Sequence, residues 1–309
     1  MKTAIALDRV SKEFKGKRAV DEISLNIEEG SVVALLGPNG AGKTTTVSMM
    51  LGLIRPTGGT VRLLGGDPRD WGIRDRLGAM LQEVSMIDRL QVGEIIELFR
   101  GYYEKPLPLE RLLRISGLEE ESGKLATSLS GGQRRRLDFA LALAGDPSVL
   151  FLDEPTVGMD VTSRRLFWET VRALAGTGRT LILTTHYLEE ADSLADRVVV
   201  INKGRLIADG TPAEVKASTS GKILSFTAGP GVTPRLVRAL PGVTDASWSG
   251  RRVKLFSADT DRSLRELIRM EADIRDIEVH GGGLEEAFRH LVQEDSPAPR
   301  GQAREEDKR

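Results

Sequence analysis

The sequence contains no cysteine, which excludes disulfides and cysteine-ligated metal sites and suits a reducing compartment. Long apolar runs are missing too. The apolar runs present, such as Val198 to Ile201, fall far short of the roughly 20 residues that a membrane helix needs. Met1-Lys2-Thr3-Ala4-Ile5 has no extended apolar segment behind a basic one, so no signal peptide is expected. Any link to a membrane must therefore pass through a partner or a surface. Nor is there an excess of one charge. Lys and Arg number 44 against 45 Asp and Glu, and a net charge of -1 gives no general reason to expect a nucleic-acid partner. What is present, 309 residues with 40% apolar content, is enough for about two domains and a sizeable core.

The most informative stretch is the apolar run Val32-Val33-Ala34-Leu35-Leu36, which empties into Gly37-Pro38-Asn39-Gly40-Ala41-Gly42-Lys43-Thr44-Thr45. Strand, glycine loop and helix follow in the order a phosphate loop requires. The glycines let successive backbone N–H groups point at phosphate oxygens, and the helix presents its positive end. Lys43 can reach the β- and γ-phosphates of a nucleotide, and the Thr44 hydroxyl can ligate Mg²⁺. Further on, Val149-Leu150-Phe151-Leu152 delivers Asp153 and Glu154 at the carboxyl end of a strand. Asp153 is placed to hold Mg²⁺ and Glu154 to orient and polarise the attacking water. Leu129-Ser130-Gly131-Gly132-Gln133 precedes a helical pattern and forms a second anion-binding nest, with Ser130 as N-cap. Two anion-binding loops but one Lys-Thr loop suggest a head-to-tail pair of chains. Each Gly37–Thr45 loop would share its nucleotide with the partner's Ser130–Gln133 loop.

Along the chain, Ala4 to Leu7 and Ala19 to Ile27 read as early strands, the second half-buried and antiparallel. Another strand is expected over Thr60 to Leu64, a short helix over Ile73 to Leu77 and a strand over Gly78 to Leu81. From about residue 88 to 145 the pattern is helical. The β–α alternation then returns, with strands at Ser148 to Leu152, Thr180 to Thr184 and Val198 to Ile201. The last turns at Asn202-Lys203-Gly204. These elements predict an α/β fold: a P-loop nucleoside triphosphatase core with an antiparallel β subdomain and a helical insertion, over residues 1–217. A boundary near Ser218-Thr219-Ser220-Gly221 precedes a βαββαβ order, which predicts a small α+β ferredoxin-like domain over residues 221–292. Residues 293–309 are polar and predicted to be disordered.

With these motifs in this order, the chain resembles the ATP-binding subunit of an ABC transporter. Within that family it is most similar to the daunorubicin-resistance subclass serving drug, antibiotic or polysaccharide exporters. Gly37–Thr45 matches the family's Walker A motif, Val149–Glu154 its Walker B and Leu129–Gln133 its signature. The resemblance implies ATP and Mg²⁺ as ligands, with Thr44, Gln82 and Asp153 at the metal. It implies that Gln82 touches Mg²⁺ and the attacking water and relays nucleotide state, and that His186 contacts the γ-phosphate and supports Glu154. Asp160 would organise contacts across the dimer seam. Phe14 would stack on adenine in place of the commoner tyrosine. Gln91-Val92-Gly93-Glu94 departs from the family pattern on the surface expected to face a partner. Leu284-Glu285-Glu286-Ala287-Phe288 resembles the subclass's terminal motif. The implied partners are a second copy of the chain and an integral-membrane permease. The implied location is the cytoplasmic face of the membrane, held there through that permease.

Other readings weigh less. Arg134-Arg135-Arg136 could suggest nucleic acid, but the run stands in a chain of balanced charge with little aromatic interleaving, so no nucleic-acid partner is expected. A soluble mechanical ATPase acting on DNA or ribosomes would be expected to carry long heptad inserts or tandem ATP-binding units, and neither is visible. A regulatory module that binds ATP without hydrolysing it is disfavoured by intact Asp153, Glu154 and His186.

Overall fold

The structure, a computed structural model, describes residues 2–81, 87–218, 222–257 and 259–295. It divides into two compact units, Met1–Thr211 and Pro212–Arg309. The first opens with β1 (Thr3–Phe14), β2 (Lys17–Glu28), β3 (Val32–Leu36), α1 (Lys43–Met50) and β4 (Gly58–Leu63). After α2 (Trp71–Arg74) and β5 (Leu77–Met80) come three helices, α3 (Val92–Arg100), α4 (Leu109–Ser116) and α5 (Gly131–Leu143). The unit closes with β6 (Val149–Asp153), α6 (Val161–Ala175), β7 (Thr180–Thr184), α7 (Leu188–Leu194), β8 (Arg197–Asn202) and β9 (Arg205–Gly210).

Two sheets carry this unit. β1 sits between β2 and β4 in an antiparallel three-stranded sheet. The larger sheet has the order β5-β6-β7-β3-β8-β9 and is parallel except for β9. Every residue of β3, β6 and β7 is buried, as expected of parallel strands in mid-sheet, which are covered on both faces and therefore mostly apolar. α3, α4 and α5 form the helical insertion between β5 and β6. α3 buries Val92, Ile95 and Ile96, while α5 buries Leu137 and the run Phe139 to Leu143. This is a P-loop nucleoside triphosphatase core with an antiparallel β subdomain, as the sequence predicts.

Three local expectations need correction. The short helix ends at Arg74, and Leu77 opens β5 instead, because its buried side chain is needed in the parallel sheet. β9 was not anticipated from the sequence. It returns from β8 through Lys203 and Gly204, both with positive φ (47° and 81°), the geometry of a tight two-residue hairpin turn. Its mixed, mostly half-buried residues carry little periodic signal. α8 (Pro212–Ser218) was not anticipated either, since seven residues are too few to show a helical repeat.

In the second unit α8 is followed by β10 (Lys222–Ala228), α9 (Pro234–Arg238), β11 (Val243–Ser249), β12 (Arg252–Ser257), α10 (Thr260–Arg269), β13 (Ile274–Gly281) and α11 (Leu284–Glu294). The sheet order β11-β12-β10-β13 is antiparallel at every pairing, giving the ferredoxin-like βαββαβ arrangement. Leu224, Phe226, Val253 and Leu255 meet Val237, Leu240 and Leu267 in its core. α11 packs on α8, with Leu284 and Ala287 buried. It continues to Glu294, and residues 296–309 of the expected tail lie outside the described residues.

The join between insertion and sheet yields a test. A Cβ on Gly78 of β5 would lie 2.0 Å from the Ala142 carbonyl oxygen of α5. Neither backbone can yield cheaply. Gly78→Ala should lower stability by about 1–3 kcal/mol in urea or thermal unfolding. An unchanged midpoint would show that the strand and helix are not in this contact.

Candidate active site

The phosphate loop leaves β3 at Leu36 and enters α1 at Lys43. Its shape requires glycine at two points. A Cβ on Gly37 would lie 2.3 Å from the Ile201 carbonyl oxygen, and Gly42, at φ 107°, would place one 2.6 Å from that of Ala19. Lys43 is buried, and its ammonium donates to the loop's own carbonyls at Gly37 (2.6 Å) and Pro38 (3.2 Å). Burial pushes its pKa down, opposed by the negative charges of Glu154 and Asp153. The Thr44 side chain is exposed at the start of α1, whereas the Thr46 hydroxyl is turned inward onto the Gly42 carbonyl (2.9 Å). Pro38, Asn39, Gly40, Ala41 and Thr45 complete the loop, and no side chain crowds Gly40.

β6 and β7 run in register, so that Asp153 lies beside Thr184. The Thr184 hydroxyl donates to the buried Asp153 carboxylate and accepts from the Glu154 N–H (3.1 Å), which also meets the Thr184 carbonyl (3.1 Å). Glu154 itself has φ 48°, a left-handed conformation costing a non-glycine residue on the order of 1–3 kcal/mol unless its surroundings fix it. Two residues past Thr184, His186 places Nε2 at 2.5 Å from Glu154 Oε1. The carboxylate is 11% exposed and the imidazole 45%, so the pair opens to solvent on the histidine side.

The remaining predicted residues fall in several places. Ser130 caps α5 in a reciprocal box: its hydroxyl accepts from the Gln133 N–H (3.3 Å), while the Gln133 amide oxygen accepts from the Ser130 N–H (2.9 Å). Ser130 and Gly131 are exposed, and a Cβ on Gly132 would meet nothing within 4 Å. Among the described residues no hydrogen bond joins this loop to Gly37–Thr45. Asp160 caps α6, its carboxylate accepting from the Thr162 and Ser163 N–H groups (3.0 Å each) and from the Ser163 hydroxyl (2.7 Å). Those bonds hold its pKa below the usual carboxylate range. Phe14 ends β1 as a 47% exposed residue, with the Lys12 ammonium 5.1 Å from its ring centre. Gln82 lies outside the described residues.

Several residues at the site were not anticipated. Glu190 of α7, buried, accepts from the Thr156 hydroxyl (2.9 Å) beyond β6 and the Thr185 hydroxyl (2.6 Å) beside His186. Arg164 of α6 stacks on Tyr187, 3.9 Å from its ring centre. Arg135, read in sequence only as part of a basic run, is buried. It donates to the carbonyls of Leu81 (3.0 Å) and Glu154 (2.8 Å) and lies 3.6 Å from the Asp138 carboxylate. A buried arginine beside a buried aspartate at i+3 is the one sequence hint, since α5 is otherwise strongly apolar from Leu137 onward.

The donor set at the loop suits Mg²⁺. A threonine hydroxyl and one carboxylate are hard oxygen ligands, and this ion keeps water and substrate phosphates for the rest of its shell. Among the described residues no group of three or more His, Asp or Glu side chains could hold a metal unaided. Thr44 and Asp153 would hold the ion against the nucleotide, where it would neutralise developing phosphate charge.

A glycine loop closing on a buried lysine, with an aspartate and a glutamate at the end of the next strand but one in the same sheet, defines a P-loop nucleoside triphosphatase. Known proteins narrow this further. The sequence model of the ABC transporter family matches residues 20–157. The daunorubicin resistance ATP-binding protein DrrA3 of Streptomyces coeruleorubidus is 37% identical over 95% of this chain and 97% of its own. Nod factor export ATP-binding protein I of Paraburkholderia xenovorans is 36% identical over 94% and 97%. Among solved structures, a dimeric post-hydrolysis state of the ATP-binding cassette MJ0796 bound to ADP and Pi is similar. Its TM-score is 0.62 at 26% identity, covering 67% of this chain and 98% of that one. The chain belongs to the ABC transporter family, as an ATP-binding subunit.

The buried Asp138 gives a pH test. Desolvation pushes its carboxyl up to about 6, against the opposing pull of Arg135. The folded-state value is above the ordinary carboxylate value, so the native protein binds more protons than the unfolded chain between about pH 4 and 6. Stability should therefore fall as pH rises through that window. Asp138→Asn should remove this slope, so that the variant gains on the parent from pH 4 to 7 in urea unfolding. Parallel pH profiles would show that the carboxyl titrates normally.

Proposed function

We propose that the protein hydrolyses ATP, as its Mg²⁺ complex, at a seam between two copies of itself. We propose further that this drives a separate membrane permease exporting a drug-like, lipid or glycan compound. The observation that carries the hydrolytic reading is the 2.5 Å pair of His186 and Glu154, beside Asp153 and within the field of Lys43. Glu154 can take a proton from water as it attacks the γ-phosphate, while His186 keeps the carboxylate aimed and reaches toward the phosphate from its exposed side. Lys43, released from the Gly37 and Pro38 carbonyls, would pair with the β- and γ-phosphates. Gln82 would sense the ion and the water, and Phe14 would present its ring to adenine.

The Ser130–Gln133 loop supports a shared site. It is exposed at the start of α5, with the Gly131 and Gly132 N–H groups and the positive end of a helix of 13 residues facing a would-be anion, while the Ser130 and Gln133 N–H groups are taken by the capping box. In a head-to-tail pair it would close on the γ-phosphate bound by the other copy, and Asp160 would shape the seam from its place at the start of α6. Loss of that phosphate on hydrolysis removes the shared contact, so occupancy becomes motion.

The export reading rests on the relatives, whose names record daunorubicin resistance and Nod factor export. No helix among the described residues is long and apolar enough to cross a membrane, and attachment would run through the permease at its cytoplasmic face. A cleft of about 350 Å³ offers a surface for that contact. It is lined by Leu51, Leu53, Leu77, Phe99, Tyr103 and Leu141, and it lies between the sheet edge at β5 and the helical insertion.

Glu154→Gln keeps the size and polarity of the side chain but removes the base. It should bind ATP as the parent does while turning it over at least about 100-fold more slowly, read by nucleotide titration and phosphate release. Turnover at the parent rate would remove Glu154 from this role. Copurification of the parent with a polytopic membrane protein is expected, and with ribosomes or DNA is not. The reverse pattern would favour a soluble mechanical ATPase.

A further inference from the structure

The carboxylate assigned to water activation stands on a strained residue, and what holds that residue comes from two directions. The Glu154 N–H is fixed from within the sheet, by the carbonyl and hydroxyl of Thr184 on β7. Its carbonyl is held from outside the sheet, by Nη2 of Arg135 at 2.8 Å. Arg135 belongs to the first turns of α5, the helix that the Ser130–Gln133 loop caps. Its other terminal nitrogen donates to the carbonyl of Leu81, the residue that follows β5. One buried guanidinium thus ties the helical insertion to the exits of two parallel strands.

We propose that Arg135 is a positioning residue for ATP hydrolysis, locking the left-handed backbone of Glu154 so that its carboxylate meets His186 and the attacking water. The inference rests on the reading of Glu154 as the residue that activates water. With Glu154 held at its N–H and at its C=O, the peptide units on both sides of its Cα are clamped, so neither φ nor ψ can turn without breaking a buried hydrogen bond, and rotation at φ would swing the carboxylate away from the histidine. Because the clamp is carried by α5, the aim of the carboxylate depends on where the insertion sits against the sheet. The same helix would meet the nucleotide of a second copy at its N-terminus, so closure of the seam and alignment of the base share one rigid element. The planar fork of arginine suits this task, since it reaches two carbonyls on different strands while keeping a charge beside Asp138. The single ammonium of lysine reaches only one point in space.

The test uses full-length protein, with its permease if turnover requires it. Removing Arg135 alone would leave Asp138 as an unpaired buried charge, so the pair is changed together in R135M/D138N. This variant should bind ATP with unchanged affinity and KM but show kcat lowered at least about 10-fold, the signature of a misplaced group. R135K, which retains a counter-charge for Asp138 and serves if the double variant does not fold, should show a smaller loss confined to kcat. Added to Glu154→Gln, either change should cost nothing further in single-turnover hydrolysis, because both act through the same carboxylate. An unchanged kcat, a loss in KM alone, or a full additional loss in the Glu154→Gln background would each overturn the proposal. Absence of ATPase activity in the parent protein would instead overturn the hydrolytic reading on which it rests.

Discussion

The pairing of Asp153 with Thr184, at the carboxyl ends of two adjacent parallel strands, is the constraint on which the site depends. Thr184 serves both of its neighbours, donating to the Asp153 carboxylate and accepting from the Glu154 N–H. The β6–β7 register therefore sets the Asp153 carboxylate, the adjacent glutamate and, two residues past Thr184, the histidine. A slip of one residue would turn every one of these side chains to the opposite face. β3, next to β7 in the same sheet, brings the phosphate loop to the same edge. Side chains from residues 43, 153, 154 and 186 converge because three buried apolar strands leave the sheet side by side.

Around that edge, polar bonds buried in the protein do what packing alone cannot. Glu190 joins the segment after β6 to the segment after β7, through Thr156 and Thr185. Arg135 joins the exits of β5 and β6 to α5. Each unpaired member would carry a desolvation penalty, so these networks are rigid when complete. The Ser130–Gln133 loop is itself held by its capping box, yet it faces outward with its glycines uncrowded. The proposal of a nucleotide between two copies draws on this rigid, exposed loop lying on the same chain as the cluster of Lys43, Asp153, Glu154 and His186.

Much of this was legible in the sequence, for a definite reason. Glycine and lysine at fixed spacing after an apolar run record backbone requirements, and the close approaches of Gly37 and Gly42 to Ile201 and Ala19 show what those requirements are. Short apolar runs, ended by Asp153 in β6 and bracketed by Thr180 and Thr184 in β7, likewise identify β3, β6 and β7, because mid-sheet parallel strands are buried on both faces. β9 and α8 were not legible. One is an edge strand of mixed composition, the other a helix of seven residues. Arg135, Glu190 and Thr184 were missed for a different reason: their meaning lies in partners 19 to 54, 5 to 34 and 30 to 31 residues away in the chain. Asp160 illustrates the intermediate case, since an aspartate before a helical run signals the cap found here, while a role at a seam needs a second copy.

The central claim is that a bound γ-phosphate joins the lysine loop of one copy to the serine–glycine loop of another. Sedimentation velocity on the hydrolysis-blocked protein tests it directly. The account predicts a monomer without nucleotide or with ADP, and a dimer with ATP and Mg²⁺ that is lost when Ser130 is replaced by a bulky acidic residue. A sedimentation coefficient indifferent to ATP, both for the isolated chain and in the presence of its membrane partner, would contradict it.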